Sequence, residues 1–249
     1  MNRFEGKIVF VTGGARGIGE ALARSFADKG ALVALADLDA TATEATAAAI
    51  GADRALAVAC DVSSRASVAD AMARCDARFG GIDILINNAG RHTLTYNREV
   101  TALDEAQWAE MIGTNIMGVV NCSTVAAAAM RRRGGGAILN VDSVSGYEVR
   151  TAYGVSKLAV RGLTVALAGE LASDNIRVNG VAPGLIRTAT VEQDLPPERA
   201  RHFVEALQLI KRDGRVEDLF GVVHLLCSDE GSFITGETVI VGGGFARHV

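Results

Sequence analysis

Tyr153 and Lys157 stand four residues apart in the segment Tyr153-Gly154-Val155-Ser156-Lys157. On a helix that spacing puts both side chains on one face. A phenol keeps its proton until pH about 10, and a neighbouring ammonium favours the phenolate, so the pair has the makings of a general acid and base. An exposed Tyr and Lys on an amphipathic helix would look the same in isolation. The chain, however, has only four lysines (Lys7, Lys29, Lys157, Lys211) among its 25 basic residues, so a mere surface charge would more readily have been arginine.

A second chemical feature is the turn Thr12-Gly13-Gly14-Ala15-Arg16-Gly17-Ile18-Gly19, which follows the β-branched run Lys7 to Thr12 and opens the helical pattern Ile18 to Lys29. Glycines between a strand and a helix let a pyrophosphate approach the unpaired N–H groups of the helix start. Tight strand-to-helix turns also need glycine for steric reasons alone. Asp37 closes the next strand, where a carboxylate can accept from both ribose hydroxyls of an adenosine and would repel a phosphate. Leu38 follows it in place of an arginine, so NAD is favoured over NADP. Arg16, inside the turn, could pair with a 2′-phosphate or stand solvated at the helix start.

The elements that must position these residues alternate along the chain. Strands are predicted at Lys7 to Thr12, Ala31 to Ala36, Ala55 to Ala59, Ile82 to Ile86, Ala137 to Val141 and Arg177 to Val181. Helices are predicted at Ile18 to Lys29, Ala40 to Ile50, Arg65 to Phe79, Asp104 to Arg133 and Tyr153 to Ala172. Alternation with continuously apolar strands argues an α/β fold, a doubly wound parallel sheet with helices on both faces. No linker interrupts it, so the whole chain reads as one domain. The polar, proline-containing stretch Leu185 to Arg215, helical only in patches, is a candidate lid.

These motifs in this order resemble the short-chain dehydrogenase/reductase family across essentially the whole chain. The resemblance rests on the glycine turn, Asp61-Val62, Asn87-Asn88-Ala89-Gly90, Asn115, Ser143 in Asn140-Val141-Asp142-Ser143, Tyr153 with Lys157, and Val178 to Gly184. It implies a Rossmann-type fold that transfers a hydride between NAD(H) and a secondary alcohol or ketone, with Tyr153 as general acid and base. It also implies that Ser143 (with Ser145 as the alternate) bonds the substrate oxygen, and that Asn115 holds a water relay with Lys157. The cofactor would be held by Gly13, Arg16, Gly17, Ile18, Gly19, Asp37, Asp61, Val62, Asn88, Ala89, Gly90, Tyr153 and Lys157. Pro183 and Gly184 would frame the nicotinamide, with Ile186 and Thr188 beside it. The patterns Ile186 to Thr190 and Gly244 to His248 look like those of members acting on ring-bearing alcohols such as phenylethanol or pyridoxal.

Two spacings depart from the family pattern. The stretch from Ser143 to Tyr153 is a few residues short, and that from Gly90 to Trp108 is a few residues long. Both border the substrate cleft, and the longer loop, with His92, Tyr96 and Arg98, could fill space vacated by the shorter one. Unrelated surface variation would leave the same trace. The short loop puts the placement of Ser143 in question and leaves open a catalytically silent NAD-binding sensor or structural subunit.

Composition narrows the rest. The chain has 249 residues, 49% hydrophobic and 22% charged, enough for a large core without disulfides or a metal. A formal charge of −4 offers no basic footprint for nucleic acid. Cys60, Cys75, Cys122 and Cys227 are scattered without zinc spacing, which suits a reducing cytoplasm, and the N-terminus carries no signal-like apolar stretch. The uncharged run Ile112 to Met130 ends in Arg131, Arg132, Arg133 and Gly134, the marks of a core helix with cations at its C-terminus and a left-handed glycine stop, and not of a membrane span. His92 has no second ligand for a metal. The resemblance implies a homotetramer or homodimer built on the two long helices.

Overall fold

Ile8–Thr12 (β1), Leu32–Asp37 (β2), Ala55–Ala59 (β3), Ile84–Asn87 (β4), Gly136–Val141 (β5), Ile176–Pro183 (β6) and Thr238–Val241 (β7) pair in one all-parallel sheet ordered β3-β2-β1-β4-β5-β6-β7. The computed structural model describes residues 3–92 and 94–246, the side chain of Thr190 excepted. Alternation along β1 sends Val9 and Val11 to one face and Ile8 and Phe10 to the other. All four are buried. The strand reads as an unbroken apolar run because helices cover both sides.

One face is packed by Leu22 and Phe26 of α1 (Gly17–Ala27), Ala47 of α2 (Ala40–Ile50), and Leu219, Val223 and Leu226 of the helix Glu217–Cys227. The other is packed by α3 (Arg65–Phe79), through Val68 and Met72, and by the helices Gly118–Arg132 and Ala152–Leu171. Each fully buried Leu or Phe here stabilises the fold by roughly 1.5–3 kcal/mol. Several helix starts are fixed by short polar side chains: Asp39 accepts from the Ala42 amide and Ser64 from that of Ser67. Thr151 accepts from Gly154, and Asp104 closes a capping box with Gln107. The start of α1 differs, because Arg16 occupies its N-cap and makes no capping bond.

The helix expected to run unbroken from Asp104 to Arg133 is two helices, α4 (Glu105–Ile112) and α5 (Gly118–Arg132), joined by a π turn at Gly113–Met117. The extra residue is accommodated in the chain between two glycines, Gly113 and Gly118, and it carries Asn115 at its centre. Arg131, Arg132 and Arg133 close α5 and pair with Asp174, Asp76 and Asp83, and Gly134 takes φ +85°. By length and composition Glu105–Arg132 could cross a membrane, yet half of its most apolar window is buried, as in the core helix of a sheet protein.

After β5 comes α6 (Ala152–Leu171). The stretch 185–215 is helical only at α7 (Ala189–Asp194), α8 (Pro197–His202) and a π turn at Phe203–Leu207. It returns to its base through a bridge between Ile186 and Gly214. Its charged side chains pair at the surface, Arg187 with Glu192 and Asp213, and Arg212 with Asp218. The chain ends in α9 (Glu217–Cys227) and β7, neither of which the periodicity had singled out.

Candidate active site

Strand order reverses between β1 and β4, and a cleft of about 550 Å³ opens at the C-terminal ends of the strands there. The residues expected to bind cofactor or act on substrate line this cleft, with three exceptions, Gly19, Asn115 and the alternate serine Ser145. Gly19 lies beneath the turn instead, where a Cβ would fall 2.1 Å from the Gly13 carbonyl and 2.5 Å from Asn88 Nδ2. It is a packing glycine. Gly17 has φ +60°, and a Cβ there would meet only Thr188, at 3.9 Å, so the turn stays open toward the cleft above the uncapped start of α1.

Thr12, not foreseen as a site residue, ties the two strands of the switch point together. Its hydroxyl accepts from the amides of Asn88 (3.0 Å) and Ala89 (3.1 Å) and donates to the Ile86 carbonyl. Asn88 Nδ2 donates back to the carbonyls of Thr12 and Gly13. Its position at the head of the glycine turn was the available signal. At the far end Asp37 accepts from the amides of Ala15 and Asp39, both at 3.1 Å, which fixes the carboxylate while leaving further lone pairs. Arg16 turns to Asp39, 2.7 Å away.

At the catalytic end, Ser143 follows β5 in extended conformation, accepts from the Ser145 amide and lines the cleft beside Tyr153, whose phenol its hydroxyl favours in the charged form. The short 143–153 connection therefore keeps serine and tyrosine together. Ser145 is not on the cleft. One turn on from Tyr153, Lys157 is buried, donates to the Val141 carbonyl at 2.6 Å, and lies over the Tyr153 ring 5.7 Å from its centroid. Burial pushes the Tyr153 phenol above its usual range, and the neighbouring Ser143 hydroxyl works against that. The expected direct stabilisation of phenolate by Lys157 is thus not the leading effect, because the ammonium faces the ring and a backbone carbonyl rather than the phenol oxygen. Burial likewise draws the Lys157 ammonium down to about 8, opposed by the charge of Asp142.

Asp142, between β5 and Ser143, was read only as part of a motif. Its carboxylate is 3% exposed, and both oxygens lack a hydrogen-bond partner among the described residues. Burial pushes it up to about 6, with Lys157 and Arg161 of α6 pulling the other way.

Asn115 is 1% exposed and does not bond to its own helix. Its Oδ1 accepts from the Arg91 amide at 2.7 Å, and its Nδ2 donates to the Arg91 carbonyl and to Ser156 Oγ. Gly90 separates it from the lysine: a Cβ at Gly90 would lie 3.5 Å from Asn115 Oδ1 and 3.8 Å from Lys157 Nζ. Arg91, His92 and Tyr96 form the outer wall. Tyr147 points away, its hydroxyl donating to the Thr238 carbonyl and its ring covered by Arg161. Of the C-terminal pattern, Arg247 and His248 lie outside the described residues.

The family model for enoyl-(acyl carrier protein) reductase matches residues 13–246. The chain is 38% identical to a meso-2,3-butanediol dehydrogenase of Serratia marcescens, over 97% of this chain and 95% of that one. It is 35% identical to a 3-oxoacyl-[acyl-carrier-protein] reductase of Thermotoga maritima, over 97% and 98%. A crystal structure of a short-chain type dehydrogenase/reductase from Mycobacterium marinum superposes with a TM-score of 0.89 at 33% identity, covering 99% of this chain and 98% of that one. Glycine turn, switch-point cleft and the Ser143, Tyr153 and Lys157 cluster all fall inside the matched span, and the chain belongs to the short-chain dehydrogenase/reductase family of oxidoreductases.

Proposed function

We propose that the protein transfers a hydride between NAD(H) and a secondary alcohol or ketone, with Tyr153 as the general acid and base. The observation that carries this reading is that Ser143, Tyr153 and Lys157 line one end of a single cleft whose other end is the glycine turn and Asp37. The presence of Ser143 and Tyr153 on the same cleft, despite the short loop between them, supports this reading over a silent binding module.

The residues present fit a dinucleotide. The open turn at Gly17 and the uncapped start of α1 suit a pyrophosphate, and Asp37 suits ribose hydroxyls. NAD over NADP is supported by two carboxylates at that corner, Asp37 and Asp39, and by the pairing of Arg16 with Asp39. Bound, the nicotinamide supplies the hydride acceptor or donor. The chain supplies the proton: a phenol held protonated by burial can give it to a carbonyl oxygen that the Ser143 hydroxyl also bonds. Lys157 keeps a positive charge beneath the ring, and Asn115 holds Gly90 and Arg91 in place beside it. The diol named for the Serratia relative is itself a secondary alcohol, which agrees with this substrate class.

Titration with NADH and NADPH, followed by a panel of secondary alcohols and ketones with wild type and Tyr153→Phe, tests the reading. NADH binds more tightly than NADPH, and Tyr153→Phe lowers turnover by roughly 10²–10⁴-fold with NADH binding unchanged. Equal turnover by both proteins removes Tyr153 from its role, and NADH binding without any turnover favours the silent module.

We also read the chain as a cytoplasmic homotetramer or homodimer. Support comes from apolar side chains left at the surface of α6, Val155, Leu158 and Val165, and from the fully exposed Phe233. Light scattering that gives the mass of a monomer ends that proposal.

A further inference from the structure

A helix start leaves four N–H groups without intrahelical partners. In α6 the amide of Gly154 bonds to the Thr151 side chain, but those of Ala152 and Tyr153 are taken by a distant segment: Ala152 donates to the Arg98 carbonyl at 2.9 Å, and Tyr153 to the Tyr96 carbonyl at 3.1 Å. Both acceptors lie in the lengthened 91–103 loop. The amide of the reacting tyrosine is therefore seated on a residue far away in the chain.

That residue is itself held. The Tyr96 ring is buried, packs with Leu103, Met111 and Ala152, and lines the cleft. Its hydroxyl donates to the Glu110 carboxylate of α4, and the Arg91 guanidinium meets the same carboxylate at 2.5 Å. Arg91 is pinned a second time, through its own amide and carbonyl, by Asn115. The loop is thus fastened to α4 at Glu110, to the π turn at Asn115 and to α6 at Tyr153.

We propose that Glu110, acting through Tyr96, is a positioning residue that sets where Tyr153 stands in the cleft. The lengthened loop then fixes the proton-transferring phenol as well as walling the substrate. This rests on the reading above, in which Tyr153 transfers the proton. Small displacements of a reacting group cost large factors in rate, so a clamp on its backbone acts on turnover more than on binding.

The test measures amide exchange over residues 150–156 together with steady-state kinetics in Glu110→Ala, Glu110→Gln and Tyr96→Phe. In Glu110→Ala the amides of Ala152 and Tyr153 exchange about tenfold faster and kcat falls about tenfold, while KM for the alcohol and Kd for NADH stay within about twofold. Tyr96→Phe, which deletes only the hydroxyl and leaves the ring packed, gives both changes. Glu110→Gln keeps an acceptor for the phenol and restores both. Unchanged exchange overturns the proposal, as does faster exchange with unchanged kcat, or a rise in KM alone. Should wild type turn over no alcohol or ketone, faster exchange in Glu110→Ala still supports the clamp on Tyr153, and the oxidoreductase reading is what fails.

Discussion

The two walls of the substrate end are built on opposite terms. The 91–103 side is fastened by hydrogen bonds to α6 and to the buried Asn115, with Tyr96 inside the core. The 185–215 side is three short turns of helix, tied back by the Ile186–Gly214 bridge, by the Leu209 and Ile210 amides on the Gly243 carbonyl and by Phe203 against Phe245, and between these ties its charged side chains meet only in exposed ion pairs around Arg187 and Arg212. Buried hydrogen bonds resist opening because breaking one strands a polar group, whereas an exposed ion pair trades its partner for water at a cost of about 0–1 kcal/mol. The 91–103 wall is tied directly to the backbone of Tyr153, and the 187–213 surface is expected to open more readily than it does.

Perturbing each side should sharpen the contrast. Between β5 and α6, burial raises Asp142 to about 6 when folded against 3.8 for the free carboxyl, so the fold tolerates its neutral form and loses stability as pH rises from about 4 through about 6. Asp142→Asn mimics that neutral form. Its advantage in thermal unfolding should be absent at pH 4 and grow to at most about 3 kcal/mol above pH 7, the equivalent of two pH units. A constant difference across that range would mean that Asp142 keeps its charge at no cost. On the 185–215 side, Arg187→Ala severs two exposed pairs and should change global stability by less than about 1 kcal/mol while speeding amide exchange in 187–213. A global loss as large as that expected of the core would erase the distinction. Smallest of all, raising salt in the wild type should speed amide exchange in 187–213 and leave the Ala152 and Tyr153 amides as they were, since these are held by backbone carbonyls and screening weakens exposed ion pairs.

Much of the molecule was legible in its residues. Ala40 to Ile50, Ala55 to Ala59 and Arg65 to Phe79 occupy the predicted spans, because Gly51, Gly80 and the caps Asp39 and Ser64 punctuate them. Tyr153, Lys157, Ser143 and Asp37 converge as their spacing and the family resemblance implied. Other features were hidden for physical reasons. The π turn leaves no break in apolar composition, so 104–133 looked like one helix. The short β7 is only half-buried, which blurs its pattern. The hold of Tyr96 on Tyr153 runs through its backbone carbonyl, which carries no side-chain signature, and the burial of the Asp142 carboxylate depends on packing that its neighbours in the chain do not announce.

The π turn at Gly113–Met117 makes chain length a discrete variable in this part of the molecule. Each residue gained or lost in a helix rotates everything beyond it by about 100°. Upstream, α4 must present Met111 to the loop; downstream, α5 must present Cys122, Ala126 and Met130 to the sheet, and the turn between them must present Asn115 to Arg91. The wider turn lets both faces be right at once. A single-residue deletion there would give a more regular helix and a worse protein, so this segment can drift in composition far more freely than in length.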